Sequence, residues 1–211
     1  MKTTIIFDMD GVIFDSEKMY MDELIRFHKQ HNIILTYEEC RKVIGVDRKV
    51  FDHIVYSWWN HRIPPYEVKA LLNEFYQTVD RDYTSIINPH VELLLKYLHS
   101  HRYKIALASS SNEKTIDKAL TTSHLKQYFQ IITSGNSFKE SKPNPEIYLY
   151  SLKQLNSTKE ETIIIEDSPS GIQAAVNAGI DVIALRDTKF QLDQSQANII
   201  IDDIEQVIDY L

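Results

Sequence analysis

The 211-residue chain has a single cysteine, Cys40. No intramolecular disulfide can form and no cluster of thiolates can hold a metal, which suits a reducing, cytoplasmic setting. Nor does any run approach the roughly 18 apolar residues of a membrane helix. Met1-Lys2-Thr3-Thr4 leads into only a few apolar residues before Asp8, too few for the core of a secretory signal. No segment repeats at a fixed period, and none is of low complexity. Positive charge is also in short supply: 23 Lys and Arg against 30 Asp and Glu leave a net charge of −7. That balance argues against nucleic acid or an anionic membrane as partner. It does not exclude an anionic substrate in a local positive site.

What is present is ordinary globular material. With 43% hydrophobic and 25% charged residues, the chain is neither a disordered tail, nor a collagen-like repeat, nor a small disulfide module. The length exceeds one domain of about 150 residues and falls short of two. One core carrying a smaller inserted domain fits it. Short β-branched runs at 3–7, 104–108, 130–133, 162–165, 182–185 and 198–201 lack the helical period and end in polar or small residues. They read as strands buried on both faces of a parallel sheet. Helical patterns at 90–101, 144–155 and 168–178 alternate with them, the last closed by Gly179. The expectation is an α/β fold, a Rossmann-like parallel sheet with right-handed crossovers.

One interval breaks the alternation. Residues 15–85 show no strand but helical segments at 17–31, 37–44, 48–61 and 66–82. Thr36 with Glu39 forms a capping-box pattern, Asp47 can cap the next helix, and Pro64-Pro65 separates the last two. A helical cap over 15–85, inserted into a core of 1–14 and 86–211, is the expected organisation.

The chemistry-bearing residues cluster at strand ends. The first run closes with Asp8-Met9-Asp10-Gly11. Residues two apart on a strand share a face, so Asp8 and Asp10 project together, where open α/β sheets bind ligands. Two such carboxylates suit Mg²⁺, though a bare D-x-D is also the pattern of a solvated turn. The run at 162–165 ends in Glu166-Asp167-Ser168. Neighbours alternate in direction, so one of the acids, Asp167, is expected to ligate directly and Glu166 through water. Asp167 or Ser168 also suits a helix N-cap. Ser109-Ser110-Ser111-Asn112 offers hydroxyls and backbone N–H groups before a helix, which suits an anionic oxygen as well as plain capping. Lys142, in Lys142-Pro143-Asn144-Pro145, is a cation in a stiff turn.

D-x-D-G, a strand ending in Ser, K-P-x-P and E-D-S-x-x-G occur in that order. Together they resemble the haloacid dehalogenase-like phosphohydrolases, in particular the β-phosphoglucomutase-like group with a helical cap. The resemblance covers nearly the whole chain, insertion point included. It implies that Asp8 is a nucleophile forming an aspartyl-phosphate and that Asp10 is the general acid and base. Ser109, with Ser110, and Lys142 bind the phosphoryl group. Asp8, Asp10, Glu166 and Asp167 hold Mg²⁺, Asp10 through its backbone carbonyl. Gly45-Val46-Asp47-Arg48 resembles a cap loop in which Arg48 would grip a second phosphate, although a solvent-facing first-turn Arg fits equally. Tyr20 and Asn112 stand where mutases of the group carry His and tend to carry Lys, which weighs for a hydrolase. Trp58-Trp59 and Tyr56 read as cap core.

The expected activity is Mg²⁺-dependent hydrolysis of a small phosphorylated metabolite resembling a sugar phosphate. The alternatives are a β-phosphoglucomutase and, in another class, a non-catalytic phospho-acceptor switch. A cytoplasmic monomer is expected, with no nucleic-acid or membrane partner.

Overall fold

The β-branched runs form six strands: β1 (Thr4–Phe7), β2 (Lys104–Ser109), β3 (Ile131–Ser134), β4 (Thr162–Glu166), β5 (Asp181–Leu185) and β6 (Ile199–Ile201). The structure, a computed structural model, describes residues 2–211. The strands pair in the order β3-β2-β1-β4-β5-β6, every pair parallel. Ile5, Ile6, Phe7, Ile164 and Ile165 are fully buried. Both sheet faces are covered, which explains why these strands do not alternate.

Between β1 and β2 the chain runs through α1 (Glu17–Gln30), α2 (Tyr37–Arg41), α3 (Arg48–Ser57), α4 (Pro65–Thr78) and α5 (Val91–Ser100). The later crossovers carry α6 (Glu113–Thr122), α7 (Glu146–Gln154) and α8 (Pro169–Ala178). α7 and α8 bury Ile147, Tyr148, Leu152, Ile172 and Ala175 against Ile6, Ala106, Ile164 and Val182. Each fully buried large aliphatic side chain contributes roughly 1.5–3 kcal/mol. α8 starts with Pro169 after the Ser168 cap, whose hydroxyl accepts from the Gly171 N–H. It stops at Gly179, which takes a left-handed φ of 68°.

The connections run from β1 outward to β2 and β3, then return to β4 on the other side of β1. That reversal makes β1 and β4 a topological switch point. The crevice beyond their carboxyl ends is where open α/β sheets take ligands.

The chain divides into two compact units. One comprises the residues up to Asp15 together with Tyr83–Leu211, and the other is Ser16–Asp82. The second unit is helical. Thr36 and Glu39 close a reciprocal capping box on α2, and Asp47 accepts from Lys49 N–H and Val50 N–H to cap α3. Its core stacks Phe27 against Trp59 and Phe75, with ring centroids 5.9 and 5.4 Å apart. Arg81 meets buried Glu23 in a bidentate pair, 2.7 Å on each arm. Helices expected over 37–44, 48–61 and 66–82 stop short, at Arg41, Ser57 and Thr78. The Ser57 and Thr78 hydroxyls bond the Ile54 and Phe75 carbonyls in the last turns. Asn60 and His61 then take positive φ. The apolar pattern continues past the helix end because Trp59, on the turn, still packs into the core. Among the described residues no helix is long and apolar enough to cross a membrane.

Candidate active site

The Asp8 N–H extends the sheet by one residue, donating to the Ile165 carbonyl at 2.9 Å. Its carboxylate therefore stands, nearly buried, just past the carboxyl ends of β1 and β4. It meets Lys142 there, whose ammonium donates to Asp8 Oδ1 at 2.5 Å, Glu166 Oε1 at 2.7 Å and the Ala108 carbonyl at 3.1 Å. Three N–H bonds thus find three oxygens supplied by β1, β4 and β2. The turn that carries Lys142 is pinned by Asn177 Nδ2, which donates to the Pro143 carbonyl at 2.9 Å.

Glu166 is fully buried, and both of its oxygens are engaged. Oε1 accepts from Lys142 and from the Tyr148 hydroxyl at 2.7 Å. Oε2 accepts from Asp167 N–H at 3.0 Å and from both Ser168 N–H and Oγ at 3.1 Å. Five donors hold it in one orientation. The Tyr148 ring also lies 4.8 Å from the Lys142 ammonium, a cation–π distance. Space is tight: a Cβ at Gly171 would overlap the Glu166 carboxylate.

These contacts apportion the charge. Burial opposes ionisation of Glu166, but the Lys142 ammonium and the donor set outweigh it and hold the carboxyl below its usual range. Burial likewise works against the Lys142 charge, while Asp8 and Glu166 together hold its pKa well above the ordinary lysine value. For Asp8 burial dominates. Lys142 pulls its pKa down, Glu166 and Asp10 push it up, and the result is about 8. Two carboxylates compete for one ammonium, and Glu166 has more donors than Asp8.

A dication beside Asp8 would relieve that imbalance. Oxygens of Asp8, Glu166 and Asp167 lie within 4.8 Å of one another. All are hard donors suited to Mg²⁺.

Asp10 lies past the strand, at a turn set by Gly11 with φ of 81° and by Asn88 Nδ2, which donates to the Gly11 and Val12 carbonyls. Its Oδ2 accepts from Ser111 Oγ at 3.0 Å. Ser109 is buried at the end of β2 and accepts from Ser111 N–H at 3.0 Å, while Ser110 is exposed beside it. Asn112 caps α6, its side chain accepting from Thr115 N–H. In the helical unit, Arg48 pairs with Asp52 at 2.8 Å and lies over the Phe51 ring. The Tyr20 ring faces the Arg81 guanidinium at 5.3 Å.

Two contacts escape a reading of the sequence. Tyr148 looks like one more apolar position on α7, and Ser111 one more capping hydroxyl. No local pattern marks the tertiary acceptor of either.

The sequence profile of the haloacid dehalogenase-like hydrolases matches residues 5–185. A phosphorylated carbohydrates phosphatase of Thermotoga maritima is 32% identical over 185 residues, covering 85% of this chain and 82% of that protein. A mitochondrial (DL)-glycerol-3-phosphatase of Arabidopsis thaliana is 28% identical, covering 99% of this chain and 71% of that protein. Among solved structures, a β-phosphoglucomutase of Clostridium difficile superposes with a TM-score of 0.82 at 25% identity, covering all of this chain and 95% of the other.

Proposed function

We propose that this chain, which belongs to the haloacid dehalogenase-like hydrolase family, hydrolyses a small phosphorylated carbohydrate through an aspartyl-phosphate on Asp8. It is a phosphoryl-transfer enzyme of the β-phosphoglucomutase-like group. The observation that carries the proposal is the buried Lys142 ammonium, held between Asp8 and Glu166 at the switch point of the sheet.

In the first transfer the Asp8 carboxylate attacks phosphorus and the bond to the sugar oxygen breaks. Asp10 gives its proton to the departing alkoxide. In the second, Asp10 takes a proton from water as that water attacks the aspartyl-phosphate, releasing inorganic phosphate and restoring Asp8. Lys142 offsets the charge of the phosphoryl oxygens, and the Ser109 hydroxyl, with Ser110, donates to them. Mg²⁺ held by Asp8, Asp167 and the Asp10 carbonyl, with Glu166 behind them, would add positive charge against a dianionic substrate. Ser111 keeps Asp10 turned toward the strand end.

A panel of sugar phosphates tests this, with inorganic phosphate as readout. Phosphate release that needs Mg²⁺ and disappears in Asp8→Asn is the expected result, whereas release unaffected by Asp8→Asn refutes it. Adding β-glucose 1-phosphate with a trace of the bisphosphate separates the mutase, which would yield glucose 6-phosphate. A chain that accumulates phosphate on Asp8 without turnover would be the phospho-acceptor switch.

A further inference from the structure

The β4–β5 pairing ends at Glu166 opposite Ala184. The next two carbonyls, of Asp167 and Leu185, lie just past the last rung of that ladder. Gln194, from the connection between β5 and β6, bridges them: its Nε2 donates to the Asp167 carbonyl at 2.7 Å and to the Leu185 carbonyl at 2.8 Å. Its Oε1 accepts from Asp187 N–H at 3.1 Å. Gln194 is 6% exposed, so these bonds form away from water.

The combination of two donors and one acceptor on a short planar group is what a side-chain amide supplies and a carboxylate or thioether does not. The loop that presents Gln194 is ordered by its own chemistry. Asp187 accepts from the N–H groups of Lys189, Phe190 and Leu192 at 2.8–3.1 Å. Lys189 in turn pairs with Asp15, the last residue of the first segment of this unit.

We infer that Gln194 is a positioning residue for Asp167. The peptide N–H of Asp167 is tied to Glu166 Oε2 and its carbonyl to Gln194. With both of its peptide groups anchored, the residue has little backbone freedom, and its carboxylate is presented toward Asp8. The inference rests on the proposed Mg²⁺ role of Asp8 and Asp167. It adds that the affinity of that site is set in part from a loop with no ligand of its own, as outer partners of metal ligands do elsewhere.

The test is Mg²⁺ binding by calorimetry, without substrate, for wild type, Gln194→Met and Gln206→Met. Gln206 is a distant control: its Oε1 accepts from Asp202 N–H and Asp203 N–H in the C-terminal capping box. Gln194→Met should weaken Mg²⁺ binding about ten-fold, whereas Gln206→Met should leave it unchanged even if it lowers the melting temperature. A Gln194→Met dissociation constant equal to that of the wild type overturns the inference.

Should Gln194→Met not fold, hydrogen exchange on the wild-type protein decides. Linkage is reciprocal, so saturating Mg²⁺ must slow exchange at the Asp187 and Leu192 amides. Unchanged exchange there refutes the positioning role. A wild-type chain that binds no Mg²⁺ removes the metal reading and this inference with it. Normal wild-type binding with an unaffected variant removes this inference alone.

Discussion

Gly171→Ala sets two effects of opposite sign against each other. Ala is favoured over Gly by up to about 1 kcal/mol in a helix, so even in the first turn, where Gly171 sits, propensity alone predicts a somewhat stabilised α8. At this position the new Cβ would overlap the Glu166 carboxylate, closer than non-bonded atoms approach. Glu166 must rotate away from donors at 2.7 Å (Lys142 and Tyr148) and 3.0–3.1 Å (Asp167 and Ser168). A hydrogen bond to a charged group is worth about 1.5–3 kcal/mol. Losing two of the five therefore costs about 3–6 kcal/mol, and the net change is a destabilisation of about 2–5 kcal/mol. For a chain of this length that lowers the melting temperature by roughly 5–20 °C.

Scanning calorimetry measures the shift. A double-mutant cycle identifies its cause, because in a Glu166→Ala background the overlap is gone and Gly171→Ala should become stabilising by up to about 1 kcal/mol. If the single variant melts at or above the wild type and keeps its turnover, the packing argument at Glu166 is wrong.

Tyr148→Phe keeps the ring beside Lys142 but deletes the buried hydroxyl on Glu166, and should cost about 1.5–3 kcal/mol in urea denaturation; no loss would mean that the bond does not form in solution. In the helical unit, His28 Nδ1–H donates to the Leu24 carbonyl at 2.8 Å, and Nε2 is buried with no hydrogen-bond partner. Burial, and secondarily His31, holds the His28 pKa below its usual 6.5, although the Leu24 bond opposes the shift. The unfolded chain then takes up a proton that the folded one refuses, so stability should fall as pH drops below 6.5 toward the folded-state pKa. His28→Leu should flatten that slope in melting temperature against pH, and an identical slope in both proteins would exclude His28 as its source.

The parts of this protein that depend on local chemistry are legible in its sequence. A β-branched run without helical period has to be covered on both faces, which is enough for a parallel sheet. Thr36 with Glu39, Asp47, Ser168 and Gly179 mark helix ends because a cap is made within three or four residues of chain. Asp8-Met9-Asp10 and Glu166-Asp167 stand out because acids directly after a buried strand are costly unless something uses them. Helix ends were less readable where an apolar residue on a turn, such as Trp59, continues the pattern that a helix would show.

The division of labour within the site belongs to the tertiary structure, because it depends on contacts between residues far apart in the chain. Lys142 meets Asp8 across 134 residues, and Gln194 meets the Asp167 carbonyl across 27. Nothing near Tyr148 in the sequence distinguishes its hydroxyl from any other on a helix. Alternation along a strand turns Glu166 and Asp167 to opposite sides, but it does not name the partners of either. They differ because the fold surrounds Glu166 with five donors, while Asp167 stands with Asp8 at the crevice. Hydrogen bonds act over about 3 Å in space and are indifferent to separation along the chain, so only the packed sheet determines that Glu166 holds the lysine and that oxygens of Asp8 and Asp167 lie together.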